Sequence, residues 1–106
     1  MKETPNLNYV DEVAGGDMEF RQKYITILKE EFPQEMNDYL AQLQLGELKE
    51  ASLIVHKIKH KLNSLGLNDG HSLAVKHEFE LRNDINLLSG EFTEILRGIA
   101  SYLKTL

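Results

Sequence analysis

A chain of 106 residues has room for one modest domain with its own core, and not for two. It contains no cysteine, so neither disulfides nor thiolate metal ligands hold it together, which suits the cytoplasm. With 12 Lys+Arg against 17 Asp+Glu the formal charge is −5, which disfavours a non-specific nucleic-acid binder; no apolar run approaches the roughly 18 residues that cross a bilayer, and the start shows no signal-peptide pattern.

The apolar pattern is helical throughout, with no competing strand pattern. Leu7, Val10 and Val13 form a brief amphipathic segment, interrupted at Ala14-Gly15-Gly16-Asp17, where Asp17 is placed to N-cap the next helix. Phe20, Tyr24, Ile27, Leu28 and Phe32 then recur at helical spacing, and Met36, Leu40 and Leu43 carry the stripe past Pro33. The proline either starts a new helix or sits inside a long one as a local bend; with no loop-like residues around it, one long, kinked helix is favoured. Gly46 ends that helix, and another runs from about Glu47 to Leu65. Gly66 is its left-handed terminal residue, and Leu67 supplies the apolar contact across the cap. Asn68-Asp69-Gly70 reads as a turn. Leu73, Val75, Phe79, Leu81, Ile85 and Leu88 mark a further helix, broken at Ser89-Gly90. Phe92, Ile95, Leu96, Ile99, Tyr102 and Leu103 mark the last. Connections of about 2 to 5 residues imply antiparallel neighbours. The expected fold is therefore all-α, an antiparallel up-down four-helix bundle with a short additional N-terminal helix, as a single domain over residues 1–106. Phe20, Phe32, Phe79 and Phe92 are expected in its core rather than around a cofactor.

The segment His56-Lys57-Ile58-Lys59-His60 carries the most chemical information. Leu48, Ala51, Val55, Ile58, Leu62 and Leu65 form one buried stripe; with Val55 at zero it spans roughly −80° to +20° on the helical wheel. His56 falls near 100° and His60 near 140°, beside Lys49 and Leu53, so both imidazoles face solvent. Lys59, near 40°, lies at the border of the core, with its stem along the bundle and its ammonium in water.

Three readings of the two histidines compete. They are solvated and without a role; or they form a metal pair; or one of them carries a phosphoryl group. The i,i+4 spacing suits a metal, but Lys57 stands where a zinc hydrolase has its glutamate, and Lys57, Lys59 and Lys61 would repel a cation. His71 and His77, six apart, fall on different faces of the following helix. An exposed imidazole, largely neutral near pH 7, is a nucleophile without an elaborate base. A nearby ammonium such as that of Lys59 balances charge on the phosphoryl oxygens during transfer. A Gly-rich phosphate loop is lacking, so the chain is not expected to act by itself as an ATP-dependent kinase, and both donor and acceptor would be proteins.

Val55-His56-Lys57-Ile58-Lys59 followed by Leu65-Gly66-Leu67 resembles the Ala-His-x-Leu-Lys-Gly-Ser…Leu-Gly core of histidine phosphotransfer (HPt) domains, which serve bacterial multistep two-component phosphorelays. Gly15-Gly16-Asp17-x-x-Phe20 and the helix through Phe32 resemble the family's first long helix, and Leu73 with Phe79-Glu80 its Leu…Leu-Glu segment. The resemblance spans roughly residues 7–103. It implies that His56 is the phospho-acceptor, that Lys59 stabilises phosphoryl charge, and that the partners are response-regulator receiver domains, including those of hybrid sensor kinases. Neither nucleic acid nor membrane is implied, and a cytoplasmic monomer is expected. Mg²⁺ would belong to the partner receiver, with no cofactor or metal bound by this chain. One departure stands out: His60 and Lys61 replace the family's glycine and small residue. His60, one turn from His56, would crowd the partner, bond the phosphoryl group, or accept it instead. A degenerate HPt-like docking or adaptor protein is the alternative. Leu53 is either an isolated exposed leucine without a role or, with the stem of Lys49 and a contribution from Ser52, the apolar part of a docking interface in which Asn63 is a hydrogen-bond donor. Lys57, Lys59 and Lys61 either steer an acidic pocket or are solvent-facing decoration.

Overall fold

The computed structural model describes residues 3–106. A short helix α1 (Asn8–Ala14) precedes four longer ones: α2 (Met18–Gln44), α3 (Leu48–Ser64), α4 (Asn68–Arg82) and α5 (Ser89–Leu103). Neighbours in the chain run antiparallel. Tyr24 of α2 meets Ser64 at the far end of α3, and the α2 residues Glu31 and Glu35 hold Lys61. The buried rings of Tyr39, His77 and Phe92 join α2, α4 and α5. The result is the expected bundle, 44 × 27 × 19 Å in extent. Among the described residues no helix is long and apolar enough to cross a membrane.

Local chemistry explains most of the boundaries. Asp17 caps α2, its Oδ1 accepting from the backbone N–H groups of Glu19 and Phe20 at 3.1 Å each. The helix then continues unbroken through Pro33, whose ring is exposed, so the single long helix is realised. Gly66 ends α3 at φ +76°, while the N–H of Leu67 returns to the Leu62 carbonyl at 2.9 Å. The N-terminal segment is strapped across this corner. The Asn6 N–H donates to the Leu65 carbonyl, the Asn6 side chain fills the space a Gly66 Cβ would need, and Glu3 accepts from the Gly70 N–H.

Two boundaries differ from the sequence expectation. Asn68-Asp69-Gly70 is not a turn but the first turn of α4, because the Gly66 cap alone accomplishes the reversal. At the other end α4 stops at Arg82, not at Leu88. Asp84 takes the left-handed conformation (φ +61°) and the Ile85 N–H closes onto the Glu80 carbonyl, so Ser89 and Gly90 open α5 rather than break a helix.

The core is narrower than the apolar pattern suggests. Phe32 and Phe92 are fully buried, but Phe20 is 41% and Phe79 62% exposed. On α4 the buried stripe is Gly70, Ala74, His77, Glu78 and Leu81, which turns Val75 and Phe79 outward. His77 is a core residue. Its Nε2 lies 2.7 Å from the Tyr39 hydroxyl, its Nδ1 has no partner among the described residues, and burial pushes its pKa down to about 4. Burial likewise raises the Tyr39 hydroxyl, outweighing its bond with Thr93, so that the phenol stays protonated.

Candidate functional site

α3 turns Ala51, Val55, Ile58, Leu62 and Leu65 inward, and this register exposes His56, His60, Leu53, Lys49 and Asn63. The His56 side chain is 53% accessible. Ser52 does not join this surface. It is 1% exposed, on the side of α3 from which His56 and Lys59 reach α4, and its hydroxyl donates to the Lys49 carbonyl at 2.6 Å. Its expected role in docking is therefore corrected.

Glu78 of α4 organises the face from below. Its Oε2 lies 3.0 Å from His56 Nδ1 and its Oε1 accepts from Lys59 Nζ at 2.9 Å; Arg82 approaches Oε2 more distantly, at 3.4 Å. Burial by itself pushes the Glu78 carboxyl up, but the hydrogen bonds and charges of Lys59 and His56 outweigh it and hold the group below the ordinary carboxylate value. An ionised carboxylate only accepts, so the contact requires a proton on Nδ1 of His56; in the neutral ring that leaves the lone pair on Nε2. The arrangement thus specifies which nitrogen is nucleophilic. His60 stands with its ring nearly perpendicular to that of His56, centroids 5.4 Å apart.

The lysines divide by position. Lys59 is largely buried and given to Glu78, while Lys61 bonds Glu31 and Glu35 across the α2–α3 seam. Burial lowers the Lys61 pKa, but its bonds and charge interactions with Glu31 and Glu35 outweigh this and leave it raised. Of the expected basic cluster, only Lys57 remains exposed.

Sequence reading missed Glu78, although a signal exists. It stands four residues after Ala74 and three before Leu81, so a carboxylate falls at the spacing of the buried stripe, where charged residues are rarely found unpaired. Hydropathy instead marks the face of the exposed apolar residues Val75 and Phe79, one turn apart beside it. A groove of about 520 Å³ lined by Pro5, Leu67, Leu73 and Ile95 includes none of the histidine-face residues. The histidine face is open to solvent. Compared with known proteins, the chain finds no significant match among family models, curated sequences or solved structures.

Proposed function

We propose that this chain is a histidine phosphotransfer protein, carrying a phosphoryl group on His56 between aspartates of response-regulator receiver domains in the cytoplasm. The observation that carries the reading is the His56–Glu78 pair: a half-exposed imidazole whose Nδ1 lies 3.0 Å from a buried carboxylate, which favours the neutral tautomer with its lone pair on Nε2. In the transfer, Nε2 attacks phosphorus in line with the departing carboxylate, the N–P bond forms as the aspartyl O–P bond breaks, and the electron pair stays with the aspartate. The ring becomes a phosphorylated imidazolium that keeps its Nδ1 proton. Glu78 stabilises that positive charge as it develops, and the Lys59 ammonium, 2.9 Å from Glu78, adds positive potential for the phosphoryl oxygens. Mg²⁺ would be supplied by the receiver's acidic pocket.

Exposed Leu53 on one side of His56 and exposed Val75 and Phe79 on the α4 side supply apolar contacts for a small transient interface. Lys49 and Asn63 provide polar contacts at its edge. The alternative, a docking or adaptor protein without transfer, is favoured by one feature, the His60 ring standing against His56 where a partner would approach.

Wild type, His56→Gln and His60→Gly mixed with a panel of aspartyl-phosphorylated receivers separate these readings. Wild type and His60→Gly are expected to acquire acid-labile phosphohistidine, and His56→Gln to acquire none. Labelling that survives in His56→Gln and vanishes in His60→Gly would move the acceptor by one turn. Failure of all three proteins to label would favour the docking protein.

A further inference from the structure

In the sequence, the positive charge of the neighbouring lysines speaks against a metal at the two histidines. In the fold, carboxylate partners offset part of that charge. Lys59 is bound to Glu78, and Lys61 to Glu31 and Glu35. What remains on the surface is an imidazole pair at i,i+4 spacing, rings 5.4 Å apart, with Lys57 exposed on the neighbouring flank of α3 and Lys49 exposed two turns before His56.

The first of these imidazoles has the environment a metal ligand needs. A ligating histidine typically donates its second ring N–H to a carboxylate, which fixes the tautomer and raises the basicity of the free nitrogen. Glu78 does this for His56, leaving Nε2 with its lone pair outward. The His60 ring is exposed and, among the described residues, makes no hydrogen bond that would have to break for it to turn. The two rings, 5.4 Å apart and one turn apart on the helix, have the spacing at which two histidines share a zinc ion once their nitrogens face each other.

We propose that His56 and His60 together bind one first-row divalent ion of the imidazole-preferring class, Zn²⁺, Ni²⁺ or Cu²⁺, with solvent completing its shell. Among the described residues no set of three or more His, Cys, Asp or Glu forms a metal cage, so this is an exchangeable two-imidazole chelate and not a structural centre. Its lone pair being engaged, a metal-bound His56 cannot attack phosphorus. Metal occupancy and phosphorylation of His56 are therefore mutually exclusive, and only that consequence rests on the phosphotransfer reading.

Calorimetric titration of Zn²⁺ into the metal-free, full-length protein tests the binding without any receiver. One ion per chain is expected. His56→Gln and His60→Gln should each weaken binding about tenfold or more, and Glu78→Gln, which keeps both ligands, about tenfold through the lost carboxylate. His71→Gln, on α4, should bind as wild type does; circular dichroism checks that each variant is folded. Wild-type affinity in His60→Gln, or affinity lost in His71→Gln instead, overturns the site. Binding that follows this pattern in a protein no receiver labels would leave the metal site standing and the phosphotransfer reading refuted. Labelling in metal-free buffer without Zn²⁺ binding would do the reverse.

Discussion

His56 and Glu78, 22 positions apart in the chain and on different helices, meet at 3.0 Å through Nδ1 and Oε2. The same carboxylate holds Lys59 through its other oxygen at 2.9 Å, so one buried group orients the imidazole and anchors the cation beside it. Replacing either partner of Glu78 therefore has both a chemical and a structural consequence.

Lys59→Ala should slow receiver-to-His56 transfer about tenfold or more, the interaction being worth about 1–3 kcal/mol where it strengthens in the transition state. Because Lys59 is largely buried against Glu78, the variant should also lose about 1–2 kcal/mol of stability. Single-turnover labelling and urea unfolding read the two effects separately. A rate equal to wild type would remove Lys59 from the chemistry even if stability fell.

Acid should destabilise the bundle in two separable windows. His77 is held at about 4 against an ordinary 6.5, so the unfolded chain binds its proton first as pH falls. Its contribution is fully present above 6.5 and is lost progressively towards 4, roughly 3 kcal/mol in all. Glu78, held below the ordinary 4.5, contributes above that value and loses its contribution as pH falls through its folded pKa. Urea midpoints against pH should show the upper slope vanish in His77→Leu and the lower slope shrink in Glu78→Gln. An unchanged upper slope in His77→Leu would assign it to other groups.

Phe79→Ala distinguishes a docking residue from a core residue. A buried phenylalanine costs about 3–5 kcal/mol on truncation. Phe79, well exposed, should cost under about 1 kcal/mol and instead weaken receiver docking. Thermal unfolding together with a receiver-binding titration checks both. Intact binding in this variant and in Leu53→Ala would take the apolar flanks out of the interface.

Gly66→Ala should destabilise by about 1–2 kcal/mol or more, since its left-handed backbone disfavours a Cβ and the Asn6 side chain lies only 2.6 Å from where that Cβ would stand. Asn6→Gly in the same background should recover the steric part and leave the conformational part. Urea unfolding of the two variants measures the difference.

The bundle was legible because its stripes on α2, α3 and α5 are regular, and because Asp17 and Gly66 are caps with unmistakable chemistry. α4 was not. Its core positions are occupied by Gly70, Ala74, His77 and Glu78, small or polar residues that hydropathy does not mark, while apolar Val75 and Phe79 lie outside. The exposure of His56 follows from α3 alone and was readable. Its pairing with Glu78 depends on the packing of a second helix, which no local pattern encodes, and the burial of Ser52 on the α4-facing side was lost for the same reason.

The Glu78 contact makes the reactivity of His56 a property of tertiary structure. A peptide copying α3 would contain His56, Lys59 and His60 in full, yet its imidazole would exchange freely between tautomers and its lysine would have no fixed address. Moving the α4 sequence by one residue within its helix would turn Glu78 by about 100° and strip the histidine of its partner while leaving the helices intact. The histidines are written on one helix, but the partner that fixes the His56 ring comes from the register of another, so a chemical probe of His56 Nε2 doubles as a gauge of whether the bundle has closed correctly.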